Sequence, residues 1–321
     1  MNGRAPESPP RSASAPASAA DGLDDDRPVL RLAHSPDPDD AFMWWPLAGR
    51  GGAAPAVADP RFRYELVAED IAELNRRSPA AELEITAMSC GQYPFVADRY
   101  ALTACGASMG DGYGPKLVAG RPMRPEDLRD PDVVVAVPGE HTSAMMTTRL
   151  LVGPEPGAFR YEEMPFERII DAVREGRCAA GLVIHEAQLT FGDAGLHLVA
   201  DLGAWWRETR GTLLPLGVNA IRRDLEEVHG PGTLAHVTRT LVRDLEHALA
   251  HRDESIAVAL GYARDMGADL AGRFVDLYVN RFTLAFGDEG EAAVRTWLGE
   301  LAAADLVPAV DGPDFVRPAG D

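Results

Sequence analysis

The chain has 321 residues and a mass of 34.5 kDa, with 46% hydrophobic and 25% charged residues. This balance is typical of a globular protein with two folded lobes and unlike that of a disordered or fibrous chain. The formal net charge of -19 would repel a phosphate backbone, so nucleic acid is not an expected partner.

The first 27 residues are rich in Pro, Ser, Ala and Asp and contain no apolar run of signal-peptide or membrane-spanning length. We therefore expect residues 1–27 to be a disordered extension, and the protein to be cytoplasmic with no membrane span. The three cysteines, Cys90, Cys105 and Cys178, fit no metal-ligand spacing and favour a reducing compartment over a disulfide framework.

From Pro28 onward, strands alternate with short helices. VLRLAHS predicts a first strand, a turn rich in Pro and Asp follows it, and AFMWWPLAG has helical spacing. FRYELVAED with IAELNRRS repeats this order, as does the segment that begins LEITAMS. Such alternation predicts parallel strand pairing in an α/β fold.

The character of the chain changes near residue 114 and again near residue 215. DVVVAVPGEHTSAMM opens a new unit, followed by a helix over 165–175 that ends at Gly176 and a strand over 179–184. NAIRRDL resumes a strand, and amphipathic helices fill 231–304. The two changes predict a two-lobed clamp, with residues 28–118 as the first part of lobe 1, 119–214 as lobe 2, and 215–321 as the return of lobe 1 with a C-terminal helical segment.

Small polar residues cluster at three predicted strand ends, beginning at His34, Pro138 and Ile184. Ligands of open parallel sheets lie at the carboxyl ends of the strands, so we expect the three clusters to converge on one crevice. Each cluster can equally be a helix N-cap or a turn. In the functional interpretation, the helix start at Thr142 and Ser143 suits a carboxylate ligand.

His185 follows the apolar strand AAGLVI, where an imidazole can move a proton near neutral pH. A satisfied structural role is the alternative, and His34 is the second candidate. The pairs Trp44–Trp45 and Trp205–Trp206 could stack on a planar ligand or fill the core. The glycine-rich stretch 106–115 lacks the lysine of a phosphate loop and is interpreted as a tight turn that lines the crevice.

Five segments together resemble one known family. They are HSPDPDDAFMWWPLA, YPFVADRYALTACGASMGDGYGPKLVA, VAVPGEHTSAMMTTRLL, GLVIHEAQLTFGDAGLHLVADLGAWWRETRGTLLPLGVNAIRRDL and VDLYVNRFTLAFGDEGEAAV. In this order, over about residues 29–295, they resemble the 1,4-dihydroxy-6-naphthoate synthase family, the lyases of the futalosine route to menaquinone.

The resemblance implies a two-lobed, periplasmic-binding-protein-like (type II) α/β fold, each lobe a mainly parallel sheet flanked by helices. It implies a carbon–carbon lyase without metal or organic cofactor, acting on a small-molecule carboxylate, cyclic dehypoxanthinyl futalosine. His185, in the IHE motif, would be the catalytic base. Substrate contacts are expected at Ser35, Pro36, Asp39, Asp40, Ser89, Ser108, Gly110, Thr142, Ser143 and Glu186.

The chain departs from the family at two points. Members often read SPCPND where this sequence has an additional aspartate, Asp37, and a second glycine is common where Val218 and Asn219 follow Gly217 here. Two alternatives stay open. They are chorismate dehydratase of the same pathway and a non-catalytic solute-binding protein of an ABC transporter, against which the missing signal peptide counts. The oligomeric state, including a homodimer, is also left open.

Overall fold

Two β-sheets and the helices around them make up the computed structural model of the protein, which describes residues 26–49, 53–185, 187–262 and 268–319. Of the predicted disordered extension, only Asp26 and Arg27 are among these residues. The strands are β1 (Val29–His34), β2 (Arg63–Ala68), β3 (Ile85–Ser89), β4 (Tyr100–Thr103), β5 (Ser108–Gly110), β6 (Lys116–Ala119), β7 (Val134–Val137), β8 (Arg160–Glu163), β9 (Ala180–Val183), β10 (His197–Asp201), β11 (Leu214–Arg222) and β12 (Phe315–Val316).

Short helices alternate with the strands up to β11, and longer helices follow it. The α-helices are α1 (Pro38–Ala48), α2 (Ile71–Arg77), α3 (Ser143–Val152), α4 (Ile169–Arg174), α5 (Ala187–Thr190), α6 (Leu202–Arg210), α7 (Leu225–His229), α8 (Thr233–Ala250), α9 (Arg252–Ala259), α10 (Ala268–Tyr278), α11 (Arg281–Leu284) and α12 (Gly287–Ala303). The helix predicted over 165–175 is a 3-10 turn followed by α4, and Gly176 after it has the left-handed φ of +74° that favours glycine.

Both sheets are mixed. In the first, with the order β12-β4-β11-β3-β1-β2, β1 is parallel to β2 and β3, whereas β11 is antiparallel to β3, β4 and β5. In the second, with the order β10-β6-β9-β7-β8, β7 is parallel to its neighbours and β6 is antiparallel to both of its own. The predicted parallel pairing is therefore found among β1, β2 and β3 and among β7, β8 and β9, which short helices connect. The return strand β11 is antiparallel to β3, because its pairing with β3 begins at Gly217 beside Ser89, where β3 ends.

The chain passes from the first sheet to the second over residues 111–115 and returns over 202–213. The two crossings touch, since the backbone at Gly203 in α6 packs directly against the backbone of Tyr113 and Gly114. The predicted lobe boundaries after residues 118 and 214 fall within β6 and at the start of β11. A division of the chain into lobes at these points stays a prediction.

The core is continuous from one sheet to the other, because one cluster of buried apolar side chains includes Met88 of β3 and Val135 of β7. Trp44 and Trp206 are fully buried, which confirms the core interpretation for these two aromatics. Burying a side chain of this size contributes roughly 3 kcal/mol. The C-terminal helices α8, α9 and α10 pack on α1, next to the first sheet. Within the described ranges, no helix combines the length and apolar character needed to cross a membrane.

Candidate active site

A cavity of about 680 Å³, partly open to solvent, lies between the carboxyl ends of the parallel strands of both sheets. The clusters predicted to converge on a crevice do meet here. The cavity is lined by Ser35, Asp37, Asp39, Asp40, Ile71, Ser89, Ser108, Pro115, Thr142, Ser143, Ala144, Ile184, His185, Gln188, Leu216, Gly217, Phe274 and Tyr278.

The turn after β1 supplies a group of carboxylates. Pro38 occupies the first position of α1, where its fixed φ suits a helix start, so the turn before it is held in place. Asp37 stands at the N-cap position, but its side chain caps no helix amide. Its carboxylate instead accepts from the Ser35 hydroxyl, while the Ser35 backbone N–H donates to Asp40 Oδ2 at 2.9 Å.

His185 meets this turn from the second sheet. It follows β9, and its Nδ1 lies 3.0 Å from Asp37 Oδ2; the Asp37 side chain is only 6% exposed. The imidazole also packs on Phe166, with ring centroids 4.4 Å apart. Donation from Nδ1 to the carboxylate selects the neutral tautomer whose basic lone pair is on Nε2.

The backbone of His185 is in an unusual conformation, with a φ of +53°. For a residue with a β-carbon this left-handed conformation costs about 1–2 kcal/mol, which the surrounding structure has to offset. Such outliers cluster at functional sites, and this one sets the direction in which the imidazole leaves the end of β9.

Burial and mutual repulsion make the carboxyl groups of Asp39 and Asp40 weak acids. Burial raises the pKa of Asp39 to about 7, and the charge of Asp37 adds to this while His185 opposes it. The pKa of Asp40 is also raised well above its ordinary value, first by burial and then by Asp39 and Asp37. The turn therefore carries fewer negative charges at neutral pH than its sequence suggests.

Three hydroxyl residues that line the cavity, Ser89, Thr142 and Ser143, also make hydrogen bonds within the protein. Thr142 caps α3, since its Oγ1 accepts from Met145 N–H at 3.2 Å, as the N-cap alternative predicts. Ser143 Oγ donates to Leu216 O at 2.5 Å, which ties α3 of the second sheet to β11 of the first. Ser89 Oγ accepts from Asn75 Nδ2 at 3.0 Å.

Most of the predicted site residues line the cavity. The exceptions among the described residues are Pro36 and Gly110, which are not on its wall. Gly110 lies in β5, and the space that a β-carbon would take there is filled by the carbonyl of Tyr113. Glu186 lies outside the described residues. The second histidine candidate, His34, is 1% exposed, and burial lowers its pKa.

Several lining residues were not among the predicted site residues, and Gln188, Phe274 and Tyr278 are three of them. Gln188 had a local signal, because it is three residues after His185, the offset at which a Gln side chain in a capping box reaches back to a backbone amide. Phe274 and Tyr278 belong to α10 and have no local pattern that connects them to the strand ends. Across the parts of the chain that the structure describes, no group of three or more His, Cys, Asp or Glu is arranged to hold a metal ion.

Comparison with solved structures defines the class of protein. A protein from Archaeoglobus fulgidus is 38% identical with a TM-score of 0.76, covering 87% of this chain and 98% of its own. The ligand-binding component of an ABC-type import system from Staphylococcus aureus is 15% identical with a TM-score of 0.63, covering 91% of this chain and 97% of its own. The fold is therefore that of the periplasmic binding proteins, as the resemblance implied.

Sequence comparison defines the family. The profile of the menaquinone biosynthesis family matches residues 30–303. A protein of Thermus thermophilus called 1,4-dihydroxy-6-naphtoate synthase is 36% identical over 90% of this chain and 99% of its own. Its namesake from Streptomyces coelicolor is 37% identical over 89% of this chain and 97% of its own. The chain belongs to the menaquinone biosynthesis family.

Proposed function

We propose that this protein is a carbon–carbon lyase that cleaves cyclic dehypoxanthinyl futalosine to 1,4-dihydroxy-6-naphthoate, with His185 as the catalytic base. The observation that carries the proposal is the contact of 3.0 Å between His185 Nδ1 and Asp37 Oδ2 on the wall of the cavity between the two sheets. The names of the two relatives and the match to the menaquinone biosynthesis family support the substrate and product.

The reaction requires one base and a site that excludes water. Nε2 of His185 takes the proton of a hydroxyl on the sugar-derived part of the substrate. The O–H electrons form a carbonyl as the carbon–carbon bond to the bicyclic part breaks, and the electron pair of that bond passes to a ring carbonyl. The ring oxygen takes up a proton and becomes a hydroxyl of the aromatic product, so this retro-aldol-like step balances without an oxidant.

Asp37 assists by stabilising the imidazolium that forms when His185 takes the proton. The pKa of Asp39, about 7, keeps a part of this carboxyl neutral at physiological pH, which limits repulsion of an anionic substrate. The first turn of α3 also lines the cavity, and a helix N-terminus favours the carboxylate of the substrate.

Purified protein should form 1,4-dihydroxy-6-naphthoate from cyclic dehypoxanthinyl futalosine in an assay read by mass spectrometry. His185→Ala should lower kcat by about 10³-fold, in the range for loss of a general base. His197→Ala is the matched control, since His197 is exposed at the start of β10, and it should keep the wild-type rate. Undiminished turnover by His185→Ala would show that His185 is not the base. Product formation from chorismate, and not from cyclic dehypoxanthinyl futalosine, would favour chorismate dehydratase.

A further inference from the structure

Gln188 in α5 connects three separate parts of the molecule beneath the candidate base. With the amide oriented so that its oxygen faces donors and its nitrogen faces acceptors, the oxygen accepts from the backbone N–H of His185 at 3.1 Å and the nitrogen donates to the carbonyl of Gly114 at 2.5 Å. The amide also lies within hydrogen-bonding distance of Tyr278 Oη. These partners belong to the turn after β9, to the first crossing between the sheets, and to α10, which packs on α1 next to the first sheet.

The contact is buried and specific. Gln188 is 7% exposed and Tyr278 is 6% exposed. Tyr278 is held by ring contacts with Phe274, at 4.8 Å between centroids, and with Tyr113, at 6.2 Å. Its hydroxyl is therefore presented to Gln188 by packing that does not depend on the hydrogen bond. Burial also raises the pKa of the Tyr278 phenol, so the hydroxyl keeps its proton and can donate.

We propose that Gln188 is a positioning residue that couples the closure of the two sheets to the conformation of His185. The inference rests on the proposed role of His185 as base. The backbone of His185 has a left-handed φ, and the bond from its N–H to Gln188 helps to hold that conformation. Gln188 is itself oriented by Tyr278, which approaches from the other side of the cavity. In an open form that admits substrate, with the two sheets apart, the amide would lack this partner and the imidazole would lack its productive direction.

The arrangement would confine proton transfer to the closed form, in which water is excluded from the cavity. An imidazole that is correctly placed only after closure does not act on a partly bound substrate. The coupling predicts that loss of the Gln188–Tyr278 contact lowers kcat much more than it raises KM, because the cavity wall keeps its shape while the base loses its orientation.

Two substitutions test the coupling. Gln188→Met keeps the length and burial of the side chain and removes its polar groups, and Tyr278→Phe removes only the hydroxyl. In wild type and variants, hydrogen exchange of the 184–190 peptide is measured without substrate, and kcat and KM are measured with cyclic dehypoxanthinyl futalosine. We expect exchange of an amide in this peptide to be about tenfold faster in Gln188→Met, with kcat at least about tenfold lower and KM within about threefold of wild type. Tyr278→Phe should also accelerate exchange and lower kcat. The double variant should have about the same exchange rate and kcat as Gln188→Met, because both substitutions remove the same contact.

Gln92→Met is the matched control. Gln92 is 2% exposed, and its amide also links the two sheets, through His141 Nδ1 at 2.7 Å and Ser78 Oγ at 3.1 Å, away from His185. This variant should leave exchange of the 184–190 peptide unchanged. The inference is overturned if the 184–190 peptide exchanges at the wild-type rate in Gln188→Met and Tyr278→Phe. It is also overturned if Gln92→Met accelerates exchange of this peptide as much as Gln188→Met does. A wild type that forms no naphthoate would refute the proposed function, and the exchange comparison would still decide whether Gln188 holds the His185 turn.

Discussion

His185 and Asp37 form a contact that neither sheet can make alone. Nδ1 of His185 lies 3.0 Å from Oδ2 of Asp37, and the two residues follow β9 of the second sheet and β1 of the first. The proposed base therefore has its partner carboxylate only when the two sheets face each other across the cavity. In the proposed mechanism, this pair would link catalytic competence to closure.

Replacing Asp37 by Asn should lower kcat by about a hundredfold or more. An Asn amide can donate to Nδ1 and so favours the tautomer whose proton is on Nε2, which cannot act as a base. Steady-state kinetics with cyclic dehypoxanthinyl futalosine provide the measurement. Asp98→Asn, at a side chain 78% exposed, is the control and should match wild type. A wild-type kcat for Asp37→Asn would show that the pair has no catalytic role.

The ionisation of Asp39 should appear in the pH dependence of kcat/KM. The pKa of Asp39 is about 7, so the carboxyl gains a negative charge as the pH rises through neutrality. This charge would repel a carboxylate substrate, and kcat/KM should fall between about pH 6 and pH 8. In Asp39→Asn the neutral side chain has no such transition, and this fall should disappear. An identical pH profile of kcat/KM in wild type and Asp39→Asn would show that ionisation of Asp39 does not cause the fall.

The close contact of the two crossings makes Gly203 intolerant of a side chain. A β-carbon there would overlap the backbone of Tyr113 and Gly114, and neither segment can move without shifting a sheet. Gly203→Ala should lower the free energy of unfolding by about 3 kcal/mol, as overpacking does. Gly299→Ala, in an open position on α12, should stabilise by up to about 1 kcal/mol. Chemical denaturation measures both, and equal stabilities would disprove the steric argument.

Asp244 should destabilise the protein increasingly as the pH rises. This residue of α8 is 0% exposed, and burial raises the pKa of its carboxyl well above the ordinary value, while a backbone group of Leu47 offsets only part of this. Above about pH 4 the unfolded chain releases the proton and the folded protein does not, so each pH unit costs about 1.4 kcal/mol until the folded pKa is reached.

Asp244→Asn should therefore leave the melting temperature nearly unchanged at about pH 4 and raise it at pH 8. Calorimetry at the two pH values makes the comparison. Asp253→Asn, on the exposed side of α9, is the control and should show no such dependence. A gain that is equal at both pH values would mean that proton release by Asp244 is not the cause.

The strand ends, the helix starts and the candidate base could be predicted from short stretches of sequence. Thr142 caps α3, Gly176 follows α4 with a left-handed φ, and His185 lies where the strand AAGLVI ends. These features depend on backbone propensities and on the pattern of apolar residues, which act over only a few positions. The sequence by itself therefore determined the α/β class, and it predicted that the turns after β1 and β9 contribute to a site.

Only the tertiary structure decided which groups meet. Asp37 could be interpreted as a turn residue until β9 placed His185 beside it, and Tyr278 had no signal that connected it to Gln188. The antiparallel pairing of β11 with β3 likewise followed from the path of the chain over the second crossing between the sheets and not from its own residues. Such contacts join segments that are far apart in the chain, and they form only when the cores of both sheets have packed, because local preferences carry no information about distant partners.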